Sequence, residues 1–190
     1  MLLTGFEPWG REQRNPSGEV ALALGGQVLP VDYAAAARAI KGFLRRRPDA
    51  ILMLGLAPGR TSIALEALAV NVDHCEERGA QWRWRRPIGK GPLVLPTRLP
   101  LDPIYRRLSR ARIPVRVSHH AGTFICNHVF YVALAASKVP CGFVHLPPFK
   151  AIPAAQQIRA VELILETLGR SRTSTRSAPR RAPSRRGSKG

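Results

Sequence analysis

Apolar residues in this chain fall into short runs separated by turn-forming segments, and strand-like and helix-like runs alternate along most of its length. Residues 2–4 read as a short strand passing into 5–16, a loop rich in Gly, Pro and Asn. Asn15-Pro16-Ser17 is a helix start, and 17–24 follow as helix. A strand at 28–31 leads to an alanine-rich helix at 34–46, closed by Pro48. Residues 50–56 are an unbroken apolar run, the pattern of a strand buried on both faces. Segment 63–72 reads as extended, and 87–100, broken by Pro and Gly, as loop with short strands. A helix at 102–111, a strand at 115–117, a helix at 124–136, a strand at 142–146 and an amphipathic helix at 153–168 complete the series. This order predicts an α/β fold: a three-layer, doubly wound, mostly parallel sheet with helices on both faces. Reactive groups then belong at the carboxyl ends of strands.

With 190 residues and 45% hydrophobic content, the chain suits one ordinary domain with a full core. No apolar run approaches the roughly 18 residues of a membrane span, and the start has no signal-peptide pattern. Cys75, Cys126 and Cys141 are an odd number without CxxC spacing, which points to a reduced, cytoplasmic protein. The net charge of +18 changes meaning once it is located, because residues 170–190 carry eight cations and no acid. That Ser/Pro-rich stretch is expected to be a disordered basic tail behind a domain spanning 1–169. Such a tail reads first as a solvated segment and only weakly as a nucleic-acid contact. Within the domain, Gln81-Trp82-Arg83-Trp84-Arg85-Arg86 alternates tryptophan and arginine, suiting an exposed hairpin or a stacking surface.

Three strand ends carry reactive residues. After 115–117 comes Ser118-His119-His120-Ala121-Gly122-Thr123-Phe124-Ile125-Cys126-Asn127-His128, which places Cys126 in the first turn of a helix. There the helix dipole and free N–H groups favour a thiolate. His145 sits near the end of the strand at 142–146, and Glu66 follows Gly55-Leu56-Ala57-Pro58-Gly59-Arg60 in the extended segment. A carboxylate can hold an imidazole in one tautomer, and that imidazole can activate a thiol. Taken singly, Cys126 reads as a small buried hydrophobe, His145 as a core histidine and Glu66 as a surface acid. His119, His120 and His128 crowd Cys126 but follow no zinc spacing, so no metal is expected. From the residues alone the reading stops at a cysteine hydrolase.

Four motifs go further. Thr4-Gly5-Phe6-Glu7-Pro8-Trp9-Gly10 with Asn15-Pro16-Ser17 resembles the opening of the pyroglutamyl-peptidase I family, the pyrrolidone-carboxylate peptidases. Gly55 to Arg60 with Glu66 and Ala69-Val70-Asn71 resembles that family's glutamate motif. Ala121-Gly122-Thr123-Phe124-Ile125-Cys126-Asn127 resembles its nucleophile motif, and Gly142-Phe143-Val144-His145-Leu146-Pro147 its histidine motif. The resemblance implies a phosphorylase/hydrolase-like fold and a cytoplasmic cysteine exopeptidase that removes N-terminal 5-oxoproline from peptides. It implies Cys126 as nucleophile, His145 as general base and acid, and Glu66 as the residue orienting His145. Phe6, Trp9 and Leu56 are implied as substrate-binding, with no cofactor and a homo-oligomer, a tetramer. Trp9 stands where the family usually has Phe, and segments 74–79 and 147–150 depart from the usual pattern. The rival reading is a protein of this fold with an altered pocket that binds nucleic acid through its tail and Trp82/Trp84. An intact Cys126, His145 and Glu66 set favours the peptidase.

Overall fold

A computed structural model describes residues 1–10, 13–75 and 83–176 of the chain. Its elements are β1 (Leu2–Phe6), α1 (Pro16–Ala23), β2 (Gln27–Leu29), α2 (Tyr33–Leu44), β3 (Ile51–Leu56), β4 (Ile63–Val70) and β5 (Asp73–Cys75). Then come β6 (Arg83–Arg86), β7 (Val94–Pro96), α3 (Leu101–Arg110), β8 (Val115–His120), α4 (Ile125–Ala136), β9 (Cys141–Leu146) and α5 (Ala154–Arg176). One seven-stranded sheet runs β2-β1-β3-β9-β4-β7, with β8 also paired to β4. From β2 across to β9 all pairing is parallel. β4 runs antiparallel to β9 and then to β7, while β8 lies parallel along its other edge.

Strand parity sorts the two cores. Ile51 and Met53 of β3 pack with Cys141 and Phe143 of β9 beneath α2 and α4. Leu52 and Leu54 pack with Val144 and Leu146 beneath α1, α3 and α5. The expected three-layer α/β arrangement is therefore present, and period-2 alternation puts His145 on the same face as Phe143, toward α4.

The differences from the sequence expectation are local. β1 continues to Phe6 because it pairs with β2 there and the Phe6 N–H bonds Ser17 Oγ at 3.1 Å. β2 stops at Leu29, since Pro30 has no N–H to continue a ladder. The extended segment 63–72 is β4 as far as Val70, and β5 follows it from Asp73, antiparallel to β6. The hairpin expected at 81–86 thus has its backbone in β6, whereas Gln81 and Trp82 lie outside the described residues. α5 runs to Arg176, beyond Leu168, which is buried in the core. The boundary expected at 169/170 therefore falls within a helix, and 177–190 lie outside the described residues. No described helix is long and apolar enough to cross a membrane, and all three cysteines are free.

The seating of α1 on β1 has a simple steric origin. A Cβ on Gly5 would lie 2.0 Å from the Ser17 carbonyl oxygen, and one on Gly18 would lie 2.3 Å from that of Phe6. Backbone meets backbone, and the helix start is fixed by Asn15, whose side chain accepts from Ser17 N–H at 3.0 Å and donates to Glu7 O at 2.8 Å. Gly5→Ala should therefore destabilise the protein by about 3 kcal/mol or more in urea unfolding. Gly42, inside α2 with open space where a Cβ would stand, is the contrasting case. Gly42→Ala should stabilise by about 0.5–1 kcal/mol in the same assay.

Candidate active site

Glu66 and His145 come from neighbouring antiparallel strands, with Ala64 opposite His145. The Glu66 side chain is fully buried, an expensive place for a carboxylate unless it is paired. Its Oε1 faces His145 Nδ1 at 2.8 Å and accepts from Arg60 Nη1 at 2.6 Å. Arg60 also donates to Ser118 Oγ at 3.3 Å. Burial alone would raise the Glu66 pKa, but the hydrogen bond and charge of His145, with help from Ser118 and Arg60, hold it below the ordinary value. An ionised carboxylate can only accept, so Nδ1 of His145 carries the hydrogen and Nε2 is left as the base. The Phe143 ring, 4.9 Å from the imidazole centroid, fixes the ring from the side.

Cys126 is the second residue of α4. Gly122, at φ +81°, turns the chain into this helix. Whereas Asn15 and Asp32 cap α1 and α2, α4 begins at Phe124 without a side-chain cap. Its first-turn N–H groups are consequently available to an oxyanion. Cys126 Sγ lies over Gly55, close enough that a Cβ there would be 2.8 Å from the sulfur. Gly55 is paired in register with His145, so strand register and helix start bring thiol and imidazole to one place. The pull toward a thiolate at this helix start meets opposition. Burial first, then the negative Glu66, push the thiol up to about 12, against the pull of its own backbone N–H and of Arg60.

A cavity of about 450 Å³ opens above the sulfur. Phe6, Trp9 and Leu56, the three residues implied as substrate-binding, all line it. Sequence reading gave no such role to Asn15, Val31, Pro58, Phe124 or Ile125, which line it as well. Trp9 packs on Phe124 at 5.0 Å, and Tyr33 meets the edge of Phe124 at 5.8 Å, so the wall is flat, aromatic and braced. Asn15 supplies an amide on an otherwise apolar wall.

Two asparagines and an arginine were also passed over. Fully buried Asn127 accepts from Val70 N–H at 2.8 Å and donates to Val70 O and Val72 O, clamping the start of α4 to β4. Asn71 gathers the 88–91 loop by accepting from Ile88 N–H and Gly89 N–H. Arg60 stands six residues before Glu66 and is a cation for a buried acid. An Asn beside the nucleophile and an Arg before the acid were the available signals. The histidines near Cys126 diverge: His128 pairs with Asp73 at 2.8 Å, and His120 Nδ1 accepts from Gly122 N–H. Cys141 lies in the core beneath α2 and α4, and Cys75 is buried on β5.

Comparison with known proteins shows the family. A family model described as "Pyroglutamyl peptidase" matches residues 1–168. A pyrrolidone-carboxylate peptidase of Vibrio vulnificus is 34% identical over 187 residues, covering 88% of each chain. One from Chromobacterium violaceum is 38% identical over 161 residues, covering 77% of each. Among solved structures, the pyrrolidone carboxyl peptidase of Thermus thermophilus superposes with a TM-score of 0.81 at 39% identity, covering 87% of this chain and 98% of that one. The enzyme from Thermococcus litoralis gives a TM-score of 0.88 at 27% identity, covering 92% and 94%. The nucleic-acid-binding alternative finds no support in these likenesses.

Because the pKa of Glu66 is depressed, its ionised form adds stability above the ordinary glutamate range, and this is lost as pH falls through the lower folded value. In urea unfolding, the stability advantage of wild type over Glu66→Gln should persist down to about pH 4.3 and shrink only below it. An advantage that closes above that pH would show that the carboxylate is not held ionised.

Proposed function

The chain belongs to the pyroglutamyl peptidase family, and on that premise we propose that Cys126, His145 and Glu66 carry its hydrolysis of peptides with an N-terminal 5-oxoproline. It is a cysteine-type peptidase. The observation that carries the assignment is the 2.8 Å contact between Glu66 Oε1 and His145 Nδ1, beside a sulfur held over His145's register partner Gly55.

The lactam enters the apolar cavity between Phe6, Trp9 and Phe124, and the Asn15 amide, with one Nδ2 hydrogen uncommitted, offers it a polar anchor. His145 Nε2 takes the Sγ proton as the sulfur attacks the pyroglutamyl carbonyl. Charge collects on the carbonyl oxygen, where first-turn N–H groups of α4 stabilise it. The imidazolium, paired with Glu66, gives its proton to the leaving amine as the C–N bond breaks and a thioester remains. Water, deprotonated by the same imidazole, then hydrolyses the thioester and frees 5-oxoproline. The protein's own side chains supply every proton transfer.

A thiol nucleophile that must stay reduced supports a cytoplasmic location. Exposed Leu93 and Val94 beside β7, with exposed Val117 on β8, support self-association, as a tetramer by family resemblance.

Release of a fluorophore from a pyroglutamyl amide tests the reading. Wild type should turn over and lose activity with iodoacetamide, and Cys126→Ala should be inactive while melting at a similar temperature. Glu66→Gln should keep a residual rate, lower by about 10²- to 10⁴-fold. Near-full turnover by Cys126→Ala would remove the nucleophile assignment.

A further inference from the structure

A second cavity, of about 340 Å³, adjoins the first, and Leu56 and Pro58 line both. They form the ridge between the two spaces. The far wall of the second is made by Pro148, Phe149 and Lys150, the segment that follows His145 and Leu146 at the end of β9, with Arg14 facing it. The acyl ring occupies the first cavity, and His145 hands its proton to the leaving amine. Across that ridge, beside the segment that follows His145 in the chain, the second cavity is the adjoining space for the rest of a leaving peptide.

This wall is fixed. Fully buried Gln157 donates to Pro147 O at 2.9 Å and to Ile152 O at 2.8 Å, bracketing the turn. Phe149 packs against the core beneath α1 and α5. The Arg14 guanidinium stands 4.9 Å from the Phe149 ring centroid and is paired with Glu19. Lys150 makes no ion pair among the described residues. The cavity thus presents an aromatic floor with one cation paired bidentately to Glu19 and a second, Lys150, without an ion pair among the described residues.

We infer that this second cavity receives the residue following the pyroglutamyl group and favours a carboxylate there, with Lys150 as the main determinant. The inference rests on the peptidase reading above and adds its leaving-group specificity. The carboxylate can come from an acidic side chain or from the free C-terminus of a dipeptide.

The test compares kcat/KM for pyroglutamyl-glutamate amide, pyroglutamyl-alanine amide, pyroglutamyl-lysine amide and the free acid pyroglutamyl-alanine, alongside a neutral pyroglutamyl coumarylamide. Wild type should prefer the glutamate amide over the alanine amide by roughly threefold and over the lysine amide by roughly tenfold. Preference for the free acid over its amide would identify the C-terminus as a second source. Raising salt to about 1 M should flatten the order. Lys150→Gln should level the ratios and Lys150→Glu invert them, each read within one enzyme so that overall activity cancels. Equal ratios in wild type, or ratios that Lys150→Glu leaves unaltered, would overturn the inference while coumarylamide turnover keeps the peptidase reading. No turnover of any substrate would overturn both.

Discussion

The site is organised by one buried carboxylate. Glu66 has no exposure to water and must be compensated where it stands, and His145 and Arg60 meet on a single oxygen to do so. That requirement sets the antiparallel register of β4 against β9, because Glu66 reaches His145 only when Ala64 lies opposite it. It sets the tautomer of His145 and therefore which nitrogen faces the substrate. Its negative charge adds to the burial that raises the pKa of the nearby thiol.

The other requirements are steric and electrostatic. α4 starts without a side-chain cap, leaving N–H groups unsatisfied at the point where negative charge develops. Gly55 leaves room for the sulfur, and Gly5 and Gly18 let α1 lie against β1, carrying Asn15 to the rim of the cavity. Asn127 ties the start of α4 to β4, the elements that carry Cys126 and Glu66.

Much of this was legible from the residues. The unbroken apolar run of β3 and the Gly turn before Cys126 gave the buried strand and the helix start, because both signals are local. The resemblance brought Glu66, His145 and Cys126 together, which no local signal could, since their union depends on sheet order. The reversal of β4 against β9 was not legible, as the two strands are far apart in sequence and both are simply apolar. Arg60 and Asn127 were quoted within motifs without roles, because their work is to satisfy other buried groups and appears only in three dimensions. The continuation of α5 to Arg176 was missed because the Ser, Arg and Thr residues of 171–176 show no apolar periodicity.

The central claim is that the sulfur over Gly55 becomes acylated under the control of the Glu66–His145 pair. Acid-quenched mass spectrometry during steady turnover of a pyroglutamyl amide tests it most directly. The account predicts an adduct of one pyroglutamyl group on the peptide containing Cys126, absent in His145→Ala. An adduct on the Cys75 or Cys141 peptide, or full turnover by His145→Ala, would contradict it.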